Sequence, residues 1–221
     1  MGLSIYSLYR LIQPGFRTKR LQLLIAQFRP TAATRILDVG GYAGDWQDGP
    51  VADSSVTLLN LSFPPGPPLE LRFHCVEGDA RRLPFADGSF DLAFSNSVIE
   101  HVGEFADQQR FAAEIRRVGR GVFVQTPNRW FFIEPHFITP FLHYLPRRLA
   151  RPLLRVFSLR AWLRRGDNVD LRTLAKELRL LSYREVKELF PDCEIHRERW
   201  LGMTKSFILL RRVPPPAPVA A

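Results

Sequence analysis

A glycine-rich turn at residues 38–44 is the part of the chain whose residue types and spacing most directly indicate chemistry. An apolar run beginning at Arg35 leads through Asp38 into Val39-Gly-Gly-Tyr-Ala-Gly44. Backbone N–H groups and one carboxylate in such a turn can approach a ligand that a side chain at Gly40 or Gly44 would keep away. Because similar turns also join strands to helices without binding anything, the turn alone leaves both interpretations open.

Polar residues follow several apolar runs that predict strands. Besides the run that ends at Asp38, these runs cover residues 56–62, 73–79, 90–97 and 121–128. The polar residues at or near their ends include Asn60, Asp79, Asn96 and Asn128. Ligands of an open parallel sheet bind beyond the carboxyl ends of the strands, so the pattern predicts a single crevice there.

The run Gly78-Asp-Ala-Arg-Arg-Leu-Pro-Phe-Ala-Asp-Gly-Ser-Phe-Asp-Leu92 is the longest ordered match to a known pattern. With the glycine turn, it makes the chain resemble the class I S-adenosylmethionine-dependent methyltransferases of the type 11 subgroup. The resemblance is strong over residues 34–128 and returns at 181–190 and 205–210. It implies an α/β Rossmann-like fold, with a mostly parallel seven-stranded sheet, an antiparallel last strand and a lid insertion after the fifth strand.

The resemblance also assigns a cofactor, S-adenosylmethionine, whose product is S-adenosylhomocysteine. The first motif, Asp38, Gly40 and Gly44 with the intervening Gly41 and Tyr42, would hold the methionine part. Asp79 and Ala80 match the pair beside the adenine, where the carboxylate accepts a hydrogen bond from the exocyclic amine. Ser95 and Asn96 match the loop that closes over the cofactor near its sulfonium.

Two positions of the cofactor site depart from the family pattern. Tyr42 stands where the family has glycine, so either the turn has another conformation or the ring projects over the site. Asn60 stands where an acidic residue takes both ribose hydroxyls, and an amide lacks the charge-assisted strength of a carboxylate. The sequence therefore leaves the cofactor affinity open.

The connections between the first three predicted strands also depart from the family pattern. Gly49 and Pro50 leave room for only a short first helix, and the prolines of residues 64–68 predict an extended loop in place of the next helix. We therefore expect one edge of the sheet to be thinly covered.

Two histidines are candidates for removing a proton from a hydroxyl acceptor, since histidine titrates near pH ~6.5. His101 follows Glu100 after the fourth strand, and His136 lies in the lid near Glu134. For His101 the alternative is a role in capping or packing the following helix. Ser97 occupies the position at which related O-methyltransferases have a metal-binding carboxylate, so no dedicated metal site is expected.

We expect an N-terminal helical segment at residues 1–33, a methyltransferase domain at 34–213, and a disordered tail at 214–221. Residues 129–166 form the lid, whose first part, 129–137, is the candidate acceptor wall; its aromatic residues could instead fill the core.

Between Arg147 and Arg165 there are seven arginines and no acidic residue. This basic segment could be an ordinary lid helix, a helix on anionic lipid or a nucleic-acid patch.

Nearby aromatic residues favour a small or amphipathic acceptor, and the lack of an Asn-Pro-Pro-Tyr-like loop disfavours nucleic acid. Cys75, on a predicted buried strand, and Cys193 provide no disulfide framework, so the cytoplasm is the default location, with membrane association open. No long charge-free apolar run predicts a membrane span. The sequence thus favours O-methylation of a small or lipid-like metabolite; a non-catalytic binding protein and a peripheral membrane protein are the alternatives.

Overall fold

Seven strands form one mixed sheet within the part of the chain that the structure describes. The computed structural model describes residues 5–46, 54–63, 72–134, 139–140, 144 and 178–212. The strands are β1 (Arg35–Val39), β2 (Ser55–Asn60), β3 (Phe73–Glu77), β4 (Phe90–Asn96), β5 (Gly119–Pro127), β6 (Glu194–Trp200) and β7 (Met203–Arg211). Their order across the sheet is β3-β2-β1-β4-β5-β7-β6.

Strands β1 to β5 pair in parallel, whereas β7 is antiparallel to both β5 and β6. This topology confirms the predicted Rossmann-like α/β fold and its antiparallel last strand. The carboxyl ends of β1 to β5 therefore lie at one edge of the sheet, which we call the carboxyl edge. Because β7 runs in the opposite direction, its first residues lie at the same edge, beside the end of β5.

Helix α1 (Ile5–Phe28) covers one face of the sheet. Its Leu24 is fully buried with Ile36 of β1 and Phe123 of β5, and the Phe28 ring meets the Phe123 ring edge-on at 6.5 Å. The predicted N-terminal helical segment is thus a single helix over the described residues.

Helices α2 (Phe105–Val118) and α3 (Tyr183–Leu189) cover the opposite face. The apolar stripe of α2 places Phe111 and Ile115 in the core, as the 3.6-residue period requires. Both helices begin with a capping box, in which a side chain before the helix and one in its first turn bond to each other's backbone N–H groups. These caps fix where each helix begins relative to the carboxyl edge.

Strand β3 is the thinly covered edge that the crossovers predict. Among the described strands it pairs only with β2, and the placement of Cys75 inside a buried strand was wrong, because its side chain is exposed. An edge strand without a neighbour on one side shields its side chains less than a central strand does. Between β1 and β2, the expected short helix is a 3-10 turn at Ala43–Asp45.

The lid is described only at residues 129–134, 139–140 and 144, where Ile133–Glu134 pairs with Thr139–Pro140. His136 and the basic segment 147–165 lie outside the described residues. No described helix has the length and apolar character needed to cross a membrane.

Candidate functional site

A cavity of about 630 Å³ opens at the carboxyl edge, over the ends of β1, β2, β3 and β4. This volume lies within the range typical of small-molecule sites, about 300–1,000 Å³. Its lining includes Gly40, Tyr42, Asn60, Asp79, Ala80, Arg81, Ser97, Val98 and His101. The structure therefore places together five of the ten predicted cofactor-binding residues and one of the two histidines.

Two glycines of the turn are required because neighbouring side chains of the protein leave no space for a Cβ atom. Gly40 has φ +84°, and a Cβ there would lie 2.5 Å from a methyl group of Val98. A Cβ at Gly41 would lie 1.8 Å from Oδ2 of Asp38. By contrast, a Cβ at Gly44 meets nothing within 4 Å, and Gly44 does not line the cavity. The backbone thus passes close to the Asp38 carboxylate, which only residues without a side chain permit.

Asp38 is fully buried and serves the turn rather than lining the cavity. The indole Nε1–H of Trp46 donates a hydrogen bond to Oδ2 of Asp38 at 2.7 Å. The same indole packs edge-on against Phe94 of β4, with 5.1 Å between ring centroids. Sequence reasoning missed Trp46, because no local pattern connects this indole with the carboxylate eight positions earlier.

The amide of Asn60 also holds the turn. Its Nδ2 donates to the backbone carbonyl of Gly41 at 2.7 Å, a bond that a carboxylate could not donate. Tyr42 has an extended backbone with φ −130°, and its side chain is 52% exposed while lining the cavity. Of the two expectations for Tyr42, the structure supports a ring that projects over the site.

Asp79 is paired with Arg81, a residue that the sequence analysis did not single out. Arg81 Nη2 lies 2.6 Å from Asp79 Oδ2, Nε contacts both carboxylate oxygens, and the backbone N–H of Arg81 donates to Oδ1 at 2.8 Å. The side-chain hydrogen bonds from Arg81 hold the pKa of Asp79 below its usual value. Arg81 also reaches Asp107 at the start of α2. Asp79 is therefore an ionised, acceptor-only group at neutral pH.

Ser95 and Asn96, which we expected in the loop after the fourth strand, are the last two residues of β4 and lie beside the cavity rather than in its lining. Ser95 is buried and donates to the Val39 carbonyl at 2.9 Å, while Oδ1 of Asn96 accepts from Arg20 of α1 at 2.9 Å. The next residue, Ser97, lines the cavity with φ +59° and donates to Oε1 of Gln125 at 2.8 Å. Ser97, the first residue after β4, is thus the one of the three that lines the cavity.

His101 lines the cavity from the short 3-10 turn Ile99–His101, whose backbone bonds back to Val98. Its neighbour Glu100 is fully buried and accepts from the Thr126 hydroxyl at 3.2 Å, so it belongs to the interior of the sheet. Within the described residues, no three histidine, cysteine, aspartate or glutamate side chains converge as a metal site.

Comparison with known proteins matches residues 52–121 to the methyltransferase-domain family Methyltransf_11. A ubiquinone/menaquinone biosynthesis C-methyltransferase of Dinoroseobacter shibae is 33% identical over 115 residues, 45% of this chain and 46% of that protein. A malonyl-[acyl-carrier protein] O-methyltransferase of Pseudescherichia vulneris is 30% identical over 111 residues, 47% of this chain and 43% of that protein. The chain thus spans less than half the length of these curated relatives.

Among solved structures, the Burkholderia thailandensis 1,6-didemethyltoxoflavin-N1-methyltransferase has the same fold. The match covers 93% of this chain and 83% of that chain, with a TM-score of 0.52 and 13% identity. That structure contains 1,6-didemethyltoxoflavin and S-adenosylhomocysteine.

Proposed function

We propose that the chain carries a class I S-adenosylmethionine-dependent methyltransferase domain of the type 11 subgroup, and that the protein methylates an oxygen atom of a small or lipid-like metabolite. The observation that carries this proposal is the cavity at the carboxyl edge, because it combines the glycine turn, an ionised carboxylate at Asp79 and a histidine. These features support a transferase that acts on a small molecule.

The residues that line the cavity fit the cofactor. Gly40 lines the cavity with backbone alone, and the carboxylate of Asp79 can accept from an exocyclic amine. Nδ2 of Asn60 is engaged by Gly41, so its Oδ1 is the atom suited to accept a ribose hydroxyl. When bound, S-adenosylmethionine supplies an electrophilic methyl group carried on a sulfonium.

Methyl transfer depends mainly on holding the acceptor atom in line with the methyl group, so the protein's contribution is largely positional. A hydroxyl acceptor must also lose its proton, and among the described residues His101 is the histidine in the cavity lining. We assign His101 to accept that proton. His136 remains a candidate of the same kind in the lid.

The aromatic residues beside the carboxyl edge support an acceptor with apolar surface. Phe131 and Phe132 pack on the Trp200 ring at 5.9 and 6.5 Å, and Trp130 lies 5.8 Å from Tyr144. Trp130 is largely exposed, so the cluster continues to the surface. An aromatic surface of this kind suits rings and acyl chains better than a bare phosphate backbone.

The test combines binding and turnover. Calorimetric titration with S-adenosylmethionine and S-adenosylhomocysteine should give micromolar affinity for both; no detectable binding would overturn the proposal. Methyl transfer from the labelled cofactor is then measured on hydroxylated aromatic and acyl metabolites. His101→Ala should keep the S-adenosylhomocysteine affinity and lower turnover at least tenfold, whereas His196→Ala on β6 should change neither. Cofactor binding with no transfer to any hydroxyl compound would contradict O-methylation while leaving the domain assignment intact.

A further inference from the structure

A buried cationic cluster lies at the carboxyl edge, beneath α1 and next to the cavity. We define it as Arg20 of α1, Lys205 and Ser206 of β7, and Glu198 of β6. None of these residues lines the cavity, and none has a role in the methyl-transfer site described above. The cluster therefore needs its own explanation.

Arg20 occupies both oxygens of Glu198. Its Nε donates to Oε1 at 2.9 Å and its Nη2 to Oε2 at 2.6 Å, and the Ser206 hydroxyl also bonds to Oε2. Burial alone would raise the pKa of Glu198, but these bonds and the Arg20 charge lower it below its usual value. Glu198 is thus a carboxylate whose charge is already neutralised by one cation.

Lys205 adds a second cation to this cluster. Strand pairing passes from Glu198–Ser206 directly to Arg199–Thr204, so Lys205 is the extra residue of a β-bulge. Such bulges re-aim a side chain near functional sites. The side chain is 9% exposed; its ammonium lies 3.9 Å from Glu198 Oε2 and 3.7 Å from the centre of the Phe16 ring. Neither contact is a hydrogen bond, so the three ammonium donors have room for another partner.

The charges of the cluster do not balance. Two cations, Arg20 and Lys205, face one carboxylate, Glu198, and burial with the nearby Arg20 charge lowers the pKa of Lys205 to about 8. A buried charge without a full counter-charge is costly, and a bound anion would remove that cost.

The cluster is also connected to the cavity. Arg20 Nη1 donates to Oε1 of Gln125 at 3.1 Å, and the same oxygen accepts from the cavity residue Ser97. The backbone carbonyl of Lys205 accepts from Asn128 N, directly after β5. Gln125 therefore links the cluster to the cavity lining through its side-chain oxygen.

We propose that Lys205, with Arg20 beside it, is a subsite that binds a carboxylate or phosphate group of the methyl acceptor. This inference rests on the proposed function and narrows it, since the acceptor must carry an oxyanion in addition to its methylated atom. Carboxylate and phosphate groups both present an oxyanion, which would form charge-assisted hydrogen bonds with the ammonium of Lys205.

The test uses the four lysines of the chain, Lys19, Lys176, Lys187 and Lys205. Full-length protein labelled at lysine Cε is saturated with S-adenosylhomocysteine, and the Lys205 signal is assigned from the Lys205→Arg variant. Inorganic phosphate and acetate are titrated separately at constant ionic strength near pH 7. Lys19, which lies on α1 and is exposed, is the internal control.

A saturable shift of the Lys205 signal alone, with a rise in its apparent pKa, is the expected result, because an anion favours the protonated amine. Saturation by phosphate but not acetate would identify an acceptor that carries a phosphate group. Saturation by acetate but not phosphate would identify an acceptor that carries a carboxylate. Parallel movement of all four signals, or no saturable shift, would overturn the subsite. Because S-adenosylhomocysteine binding and methyl transfer are measured separately, an absence of turnover leaves this result interpretable.

Discussion

Nη2 of Arg20 lies 2.6 Å from Oε2 of Glu198, which ties the N-terminal helix to the edge strand β6. Both side chains are about nine-tenths buried, with 10% and 9% exposure. Removing Arg20 takes away the hydrogen bonds that it donates to both oxygens of the buried Glu198, and leaves only the more distant ammonium of Lys205, at 3.9 Å, as a counter-charge. The contact is therefore a main attachment of α1 to the carboxyl edge.

Arg20→Met should lower the free energy of unfolding by about 3–5 kcal/mol, the range for breaking a buried ion pair. Urea denaturation measures this change, and Lys19→Met, at the exposed neighbouring position on α1, is the control, with an expected effect below about 0.5 kcal/mol. The double variant Arg20→Met/Glu198→Met should recover part of the loss. Equal effects of Arg20→Met and Lys19→Met would contradict the assignment.

Lys205 should make stability depend on pH in the alkaline range. Its folded pKa is about 8 and its ordinary value 10.5, so between these values the unfolded chain binds more protons. Stability contributed at this position therefore rises as the pH increases from about 8 to 10.5. Lys205→Met removes that rise, and the difference in unfolding free energy between the variant and the parent should change across this window. Lys187→Met, at an exposed position of α3, is the control variant.

Gly41→Ala and Gly44→Ala form a matched pair in the cofactor turn. Alanine at Gly41 would place its Cβ 1.8 Å from Asp38, whereas at Gly44 it meets nothing within 4 Å. We expect Gly41→Ala to lower the melting temperature and to weaken S-adenosylhomocysteine binding at least tenfold, while Gly44→Ala melts like the parent. Differential scanning fluorimetry and calorimetry separate the two effects. Similar melting temperatures for both variants would contradict the close approach at Gly41.

Asn60→Asp should not improve cofactor binding, although it restores the acidic residue of the family pattern. The variant loses the hydrogen bond from Nδ2 to the Gly41 carbonyl and sets two oxygens against each other. We expect the affinity for S-adenosylhomocysteine to fall about threefold to tenfold, since a hydrogen bond is worth about 0.5–1.5 kcal/mol. Calorimetry at neutral pH measures this, and tighter binding would show that ribose recognition outweighs support of the turn.

Asp79→Ala should weaken S-adenosylhomocysteine binding by about 10- to 100-fold, because hydrogen bonds to charged groups contribute about 1.5–3 kcal/mol. Asp87→Ala is a matched control, since it also removes a carboxylate paired with an arginine, but its side chain is 81% exposed and outside the cavity lining. Unchanged affinity in Asp79→Ala would mean that the adenine lies elsewhere.

The parts of the site that could be predicted from sequence are those defined by local order along the chain. Gly40, Asn60 and Asp79 each lie at or just after the end of a strand, and parallel pairing brings strand ends to one edge without further information. The five parallel strands were predicted from the same runs, whereas the antiparallel last strand was implied by the resemblance to the family. Cys75 was misplaced because a strand's position at the edge depends on its neighbours rather than on its own residues.

The residues that sequence reasoning missed depend on tertiary contacts. Arg20 meets Glu198 across 178 positions, and no periodicity in α1 distinguishes this arginine from the others. Lys205 faces the same space only because a bulge interrupts the strand alternation. Neither relationship has a local signature, so the cationic cluster appears only in three dimensions.

The contacts of the glycine turn have a consequence for how a ligand would be received. Trp46 holds Asp38, Asn60 holds the carbonyl of Gly41, and Val98 packs where a side chain on Gly40 would otherwise sit. A loop anchored in this way is preorganised, so association loses little conformational entropy in ordering it. An amide at position 60 forms weaker hydrogen bonds than a carboxylate would. The preorganised turn then offsets this weakness, because little free energy is needed to order the loop when the ligand binds.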